Sequence, residues 1–150
     1  ANAGVIQRSI KMGIPFLVFK KEDFHKKMFL EKISLINPML IILAGFLLKI
    51  PENLIKKFNN QIINIHPSLL PKYGGKGMYG MNVHNEVIKN KEDQSGISIH
   101  YVNKQYDEGE IIFQKSTKIT YPSTAEKLAK KIHELEMKYF PEIIEKLINS

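Results

Sequence analysis

The sequence predicts an α/β fold in which a sheet, parallel in its first part, is closed by a β-hairpin and a C-terminal helix. Three observations predict this fold: apolar runs of strand length alternate with helical periodicity, two later strand patterns flank a turn, and a long amphipathic segment follows. The 150 residues are 43% apolar and 25% charged, the balance of one folded domain. We therefore treat residues 1–150 as a single domain.

The first part of the chain predicts alternating helices and strands, an order typical of right-handed βαβ units. Gly13 is expected to end the first helix, and Pro51 to open a short one, because these residues favour those positions. The predicted elements are a helix over 3–12, a buried strand over 14–19, a helix over 23–36, a strand over 39–45, a helix from Pro51 to about Phe58 and a strand over 62–66.

The second part begins with a glycine-rich loop over 67–80, in which glycines would permit a mobile lid or a close approach of backbone to a ligand. A helix over about 81–89 follows, and strands over 96–102 and 111–114 are joined through a turn at 107–109. Ser123 and Glu126 form a capping-box pattern at the start of a long helix to Ile148, with Pro141 expected to kink it.

Composition excludes several classes of protein. The net charge is +7, but only one of the 22 basic residues is arginine and the lysines are scattered, so a solvated surface that favours small anions is preferred over nucleic-acid binding. The longest apolar run, 39–48, is too short to cross a membrane, and the start lacks a secretory pattern. No cysteine is present, and no histidine pair has metal-ligand spacing. We expect a cytoplasmic protein without a metal.

Polar residues appear at the end of the third predicted strand, where ligands bind in open α/β sheets. Asn64 and His66 alternate along that strand, so both side chains point to one face. An amide beside an imidazole can hold the oxyanion of an acyl transfer. A structural pair that caps the strand end explains the same spacing, and the spacing alone leaves both interpretations open.

Four ordered motifs resemble the folate-dependent formyltransferases. The string NIHPSLLPKY over 64–73 is similar to the signature of that family, and LAGF over 43–46 precedes it at the usual distance. YDEG over 106–109 resembles the loop that carries the catalytic aspartate, and Glu136 with Pro141 resembles the last helix. The match covers most of the chain, far more than one short motif. Within the family, the string fits best the branch that formylates glycinamide ribonucleotide in purine biosynthesis.

This resemblance implies a Rossmann-like, mostly parallel sheet and a reaction in which an amine attacks the formyl group of the cosubstrate 10-formyltetrahydrofolate. The catalytic residues would be Asn64, His66 and Asp107. Asn64 and a protonated His66 would hold the oxyanion, while Asp107 would orient His66, raise its pKa and relay a proton through water. Without the resemblance, Asp107 before a glycine-containing turn would be an ordinary turn aspartate.

The resemblance also implies binding residues. The expected folate contacts are Lys21, Leu47, Leu48, Lys49, Ile50, Asn64, Asn103, Lys104, Gln105, Tyr106 and Asp107. The expected ribonucleotide contacts on the last helix are His133, Glu134, Leu135 and Glu136. Leu48 stands where the family usually has an arginine, and the other histidines (His25, His84, His100) match no catalytic position.

The family pattern opens with a strand, a phosphate-holding loop, a helix and a second strand, and residues 1–4 resemble the segment just after these. The sequence is therefore expected to be truncated at the amino terminus. Three alternatives stay open: a sibling formyltransferase that acts on methionyl-tRNA, a formyltetrahydrofolate hydrolase, and a non-catalytic folate or nucleotide binder. No membrane or nucleic-acid partner is expected, and the oligomeric state is open.

Overall fold

A computed structural model describes residues 4–149. The elements are, in order, α1 (Gly4–Met12), a 3-10 turn (Lys21–Asp23), α2 (Lys27–Ile36), β1 (Ile41–Leu43), α3 (Glu52–Lys57), β2 (Ile62–His66), α4 (Met81–Lys89), β3 (Gln94–Tyr101), β4 (Ile111–Lys118) and α5 (Ala125–Asn149). None of these helices combines the length and the apolar character that a membrane span requires.

The four strands form one sheet in the order β1-β2-β3-β4. β1 runs parallel to β2, with Ile41 opposite Ile62. β2 and β3 are antiparallel, as are β3 and β4. The fold is therefore α/β with a mixed sheet. The predicted parallel start, β-hairpin and closing helix are confirmed, but the expected mostly parallel sheet is, among residues 4–149, one parallel pair and two antiparallel pairs.

The main core lies between the strands β2, β3 and β4 and the helices α4 and α5. Ile63 of β2 and Ile97 and Ile99 of β3 are fully buried, because central strands are covered on both faces. Leu128 and Ile132, one turn apart on α5, are 1% exposed and cover this face of the sheet. Each such side chain contributes about 1.5–3 kcal/mol on burial. This packing fixes the end of β2, where the site lies.

A second, smaller core joins α2, α3 and the start of β2. Phe29 and Leu54 are buried there, and Phe19 and Phe24 pack on Phe29 with ring centroids 4.9 and 4.6 Å away. Edge-on and tilted contacts of this kind add to the stabilisation from buried area. The aromatic cluster anchors the segment before β1 without placing it in the sheet.

The predicted strand over 14–19 is wrong. These residues form no strand, and Leu17 and Val18 are 56% and 60% exposed. A strand needs a hydrogen-bonded neighbour, and within residues 4–149 β1 pairs only with β2. Residues 14–19 therefore have the composition of a strand but form none in the part of the chain that the structure describes.

Several boundaries also differ from prediction, including those of β3 and β4, which were expected over 96–102 and 111–114. The helix expected from 23 begins at Lys27, because the Asp23 carboxylate accepts hydrogen bonds from the Lys20 N–H and Lys26 and so caps a separate 3-10 turn. β1 is shortened to Ile41–Leu43. The Thr124 hydroxyl, not Ser123, caps α5 by accepting the N–H of Lys127 at 3.3 Å.

Candidate active site

A cavity of about 380 Å³ lies at the carboxyl end of β2. Three segments line it: residues 45–47 after β1, residues 64–67 at the end of β2, and residues 75–79 of the glycine-rich loop, with Tyr106 and Asp107 completing the wall. This is the edge of the sheet at which ligands bind in open α/β folds. The loop over 75–79 therefore forms one wall of this cavity, and its approach to a ligand stays a prediction.

Asn64 and His66 both line this cavity, as the alternation along β2 predicted. His66 is 4% exposed, and its Nε2–H donates a 2.7 Å hydrogen bond to the carbonyl oxygen of Tyr73. Its Nδ1 lies 3.5 Å from Oδ2 of Asp107. The three residues predicted to be catalytic are therefore brought together.

Asp107 reaches the site because of two close backbone contacts. A Cβ at Gly109 would collide with the carbonyl oxygen of Tyr101, so only glycine allows the loop after β3 to turn back so tightly. The N–H of Gly75 donates a 2.8 Å hydrogen bond to Oδ2 of Asp107. Asp107 itself has a left-handed backbone with φ of 57°, a conformation that aspartate tolerates better than most residues. The loop thus aims the carboxylate at His66.

The pKa of His66 is set by competition between burial and its neighbours. Burial, the largest influence, lowers the pKa below the ordinary value of 6.5, whereas Asp107 and the Tyr73 carbonyl raise it. The predicted influence of Asp107 is therefore present, but the net direction is opposite. At neutral pH the unliganded ring is mainly neutral, because desolvation disfavours the imidazolium, whereas the protonated His66 expected beside the oxyanion stays a prediction.

The pKa of Asp107 lies below its usual range. Burial raises it, but the neighbouring His100 and His66 and the N–H of Gly75 together outweigh burial. Asp107 is therefore a carboxylate at neutral pH, able to accept hydrogen bonds but not to donate one.

His100 is a site residue that sequence reasoning assigned only to a strand. It is 2% exposed, and its Nδ1–H donates to the carbonyl oxygen of Tyr101 at 2.8 Å. Its Nε2 accepts the amide of Asn64 at 3.2 Å and lies 3.6 Å from Oδ1 of Asp107. The signal that could have found it is the strand register, in which Asn64 lies opposite His100.

A second cavity, of about 60 Å³, lies on the other side of Asn64. It shares Phe46, Asn64, Tyr106 and Asp107 with the first cavity. Most of the predicted folate contacts line one cavity or the other: Leu47 lines the first, and Leu48, Lys49, Ile50, Asn103, Gln105, Tyr106 and Asp107 line the second or both. Lys21 and Lys104 line neither, and Lys104 lies 3.8 Å from Oε2 of Glu52.

The predicted ribonucleotide contacts on α5 line neither cavity. His133 and Glu136 do share a helix face, and their side chains lie 3.3 Å apart. Leu135 packs against the main core, and Glu134 is exposed. None of the predicted contacts on α5 therefore lies in the cavities that hold Asn64, His66 and Asp107. Among residues 4–149, no group of three or more histidine, aspartate or glutamate side chains could hold a metal ion.

The chain matches known proteins along nearly its whole length. The family model described as formyl transferase matches residues 1–144. Phosphoribosylglycinamide formyltransferase of Bacillus subtilis is 34% identical over 152 residues, covering 98% of this chain and 75% of the relative. The chloroplastic enzyme of that name from Arabidopsis thaliana is 38% identical over 138 residues, covering 88% of this chain. The chain spans about half the length of the plant relatives, 47% and 49%.

Solved structures agree with the sequence matches. Phosphoribosylglycinamide formyltransferase of Coxiella burnetii has a TM-score of 0.82 at 34% identity, covering 95% of this chain and 67% of that one. The protein of that name from Bacillus Halodurans has a TM-score of 0.87 at 27% identity, covering 99% and 76%. With the family model spanning all but the last few residues, the chain belongs to the formyl transferase family.

Proposed function

We propose that this chain carries the catalytic centre for formyl transfer from 10-formyltetrahydrofolate to the amine of glycinamide ribonucleotide, a step of purine biosynthesis. The observation that carries the proposal is the meeting of Asn64, His66 and Asp107 in the first cavity, with Asn64 and Asp107 also lining the second. A transfer between two small molecules needs this arrangement, because both must reach one set of polar groups. The names of the relatives support the choice of substrates.

In the proposed reaction, the substrate amine attacks the formyl carbon and the carbonyl electron pair moves to oxygen, giving a tetrahedral oxyanion. Collapse of this intermediate breaks the bond to the folate nitrogen, which receives the proton that the amine loses. The products are the formylated amine and tetrahydrofolate. Proton transfer by a positioned side chain contributes about 10²–10⁴-fold to the rate of such a step.

Asn64 would hold the oxyanion. One of its amide hydrogens points to Nε2 of His100, which fixes the orientation of the amide, and the other is left for the cavity. A donor fixed before the reaction loses little orientational freedom in the transition state, and removal of one such donor costs about 2.7–4 kcal/mol.

His66 would change protonation state during the reaction. The unliganded ring is mainly neutral, so Nδ1 can accept the proton that the attacking amine loses. Negative charge on the formyl oxygen would then raise the pKa of His66, because a nearby anion favours imidazolium. Asp107 would steady the charged ring and pass the proton, through water, towards the folate nitrogen. Charge stabilisation that appears only as the reaction proceeds lowers the barrier.

The linings of the two cavities suggest which substrate each cavity binds. The second cavity combines the apolar Leu48, Ile50 and Val102 with the polar Asn103 and Gln105, a lining that suits part of the flat ring of the folate. The first cavity has Lys76 and the glycine-rich loop, which suits an anionic ribonucleotide. The α5 residues and Lys21 remain proposed contacts, and the cytoplasmic location stays a prediction, since two relatives are chloroplastic.

The test is a product assay on the protein expressed from its full reading frame. Glycinamide ribonucleotide and 10-formyltetrahydrofolate are incubated with the protein, and the formylated ribonucleotide and free formate are measured by mass spectrometry. We expect formylated product that requires both substrates, and its loss in His66→Ala. The matched control is Asp93→Ala, an aspartate outside both cavities, which should keep the wild-type rate.

Two outcomes would contradict the proposal. Formate without formylated ribonucleotide would indicate a hydrolase. Binding of a folate analogue, measured by isothermal titration, without either product would indicate a binding module.

A further inference from the structure

An ion-pair cluster outside both cavities is connected to the catalytic histidine through one residue. Glu92 lies between α4 and β3, and its Oε1 accepts hydrogen bonds from the Tyr73 hydroxyl at 2.9 Å and from Nζ of Lys72 at 2.9 Å. The carbonyl oxygen of the same Tyr73 accepts the Nε2–H of His66 at 2.7 Å. The contacts therefore run from Glu92 to Tyr73 to His66.

Tyr73 needs such an anchor. Its backbone is left-handed, with φ of 57°, a conformation that is costly for a bulky side chain and persists only where the surroundings enforce it. The phenol and the carbonyl belong to one residue, so holding the ring on Glu92 also restricts where the carbonyl points. Burial, with the adjacent Glu92, raises the pKa of Tyr73 to about 12, so the phenol stays a donor.

The Tyr73 carbonyl decides which ring nitrogen of His66 carries the hydrogen. A carbonyl oxygen can only accept, so it selects the tautomer with hydrogen on Nε2. Nδ1 is then left with a free electron pair beside Asp107. If the carbonyl turned away, the second tautomer, with hydrogen on Nδ1, would gain population because Asp107 would accept that hydrogen. That ring could no longer take a proton from an amine at Nδ1.

We propose that Glu92, acting through Tyr73, is a positioning residue that keeps His66 in the Nε2–H tautomer. The inference rests on the proposed function for its catalytic consequence, but the tautomer itself is independent of any reaction. Lys72 supports Glu92 from the solvent side, where an exposed ion pair contributes little by itself.

The experiment measures the ring nitrogens of His66 by ¹⁵N NMR in the protein expressed from its full reading frame, with His66→Gln to assign the signals. We expect the Nε2–H tautomer to lose population in Tyr73→Phe and in Glu92→Ala. Glu92→Gln should keep most of the Nε2–H population, because its amide oxygen still accepts a hydrogen bond from the phenol. The matched control is Tyr121→Phe, which removes a phenol that bonds only the backbone carbonyl of Glu92 and should leave His66 unchanged.

Kinetics gives the second readout. The kcat should fall about 10- to 100-fold in Tyr73→Phe and Glu92→Ala, as expected when a reacting group is misplaced, while the KM for the folate stays close to wild type. Wild-type His66 signals in both variants, or an equal change in Tyr121→Phe, would overturn the inference. If the wild-type protein makes no formylated product, the proposed function fails, while the tautomer populations still decide the role of Glu92.

Discussion

The part of the chain before β2 (residues 4–61) and the part from β2 onward (residues 62–149) use their apolar residues differently. From β2 onward, Ile63, Ile97 and Ile99 are fully buried between the sheet and two helices. Before β2, Leu35 is 86% exposed and Met12 69% exposed, and the free edge of β1 faces no strand among the described residues. The first part therefore leaves many apolar side chains exposed, whereas the second part buries its apolar side chains in a core and carries the residues proposed to be catalytic.

An apolar cavity beside β1 shows this difference in the burial of apolar side chains. About 280 Å³ of space lies beside β1, bounded by apolar side chains of α2, β1 and α3, among them Phe29, Ile33, Ile41 and Leu54. Large exposed apolar patches on soluble proteins mark surfaces that bind something, or they promote aggregation. By this criterion, the apolar face beside β1 favours association with other polypeptide.

The largest predicted effect follows from this face. Residues 1–150 expressed alone should be poorly soluble or partly unfolded, because the free strand edge and its apolar surroundings invite association. The product of the full reading frame should be soluble and unfold cooperatively. Light scattering and thermal unfolding of the two proteins provide the comparison. A soluble, sharply melting monomer of residues 1–150 with full transferase activity would contradict the prediction.

A pair of substitutions compares the two parts directly. Ile97→Ala removes a fully buried side chain and should lower the free energy of unfolding by about 2–5 kcal/mol. Leu35→Ala removes an exposed one and should change it by less than about 0.5 kcal/mol. Urea unfolding of both variants in the full-length protein gives the values. A loss at Leu35 as large as that at Ile97 would contradict the exposed position of Leu35 in the structure.

Two buried histidines in the part from β2 onward, His66 and His84, predict that stability depends on pH. Burial lowers the pKa of His66 and of His84 in the folded protein, and Nδ1 of His84 is buried without a hydrogen-bond partner. In the unfolded chain both histidines bind a proton at their ordinary pKa of about 6.5. Their contribution to stability is therefore fully present above pH 6.5, and it is lost as the pH falls through their lower pKa values in the folded protein.

Urea unfolding between pH 8 and pH 5 would measure this trend, and His84→Leu should weaken it. A stability that rises on acidification over the same range would exclude burial as the controlling influence.

How much the sequence could predict also differs between the two parts. The bounds of β2 and α4 and the shared face of Asn64 and His66 were predicted, because periodicity and chain order are local properties. The strand over 14–19 was predicted wrongly, since a strand depends on a partner that may lie anywhere in the chain. Local composition cannot supply that partner.

The site shows the same limit. His100 was missed because its place opposite Asn64 depends on the register between β2 and β3. The influence of Asp107 on the pKa of His66 was predicted, but the net lowering was not, because the sequence names the neighbouring carboxylate but not the degree of burial. Both properties arise only when distant segments pack.

The central claim is that Asn64, His66 and Asp107 perform formyl transfer as one unit, and Asp107→Asn tests it most directly. The amide keeps the shape of the side chain but removes the charge beside His66. We predict that kcat falls by about 10²–10⁴-fold, the range for loss of a positioned proton-transfer group, with little change in folate binding. The pKa that the rate profile assigns to His66 should also fall, because Asp107 no longer favours imidazolium. A wild-type rate with an unchanged pH profile would contradict the account.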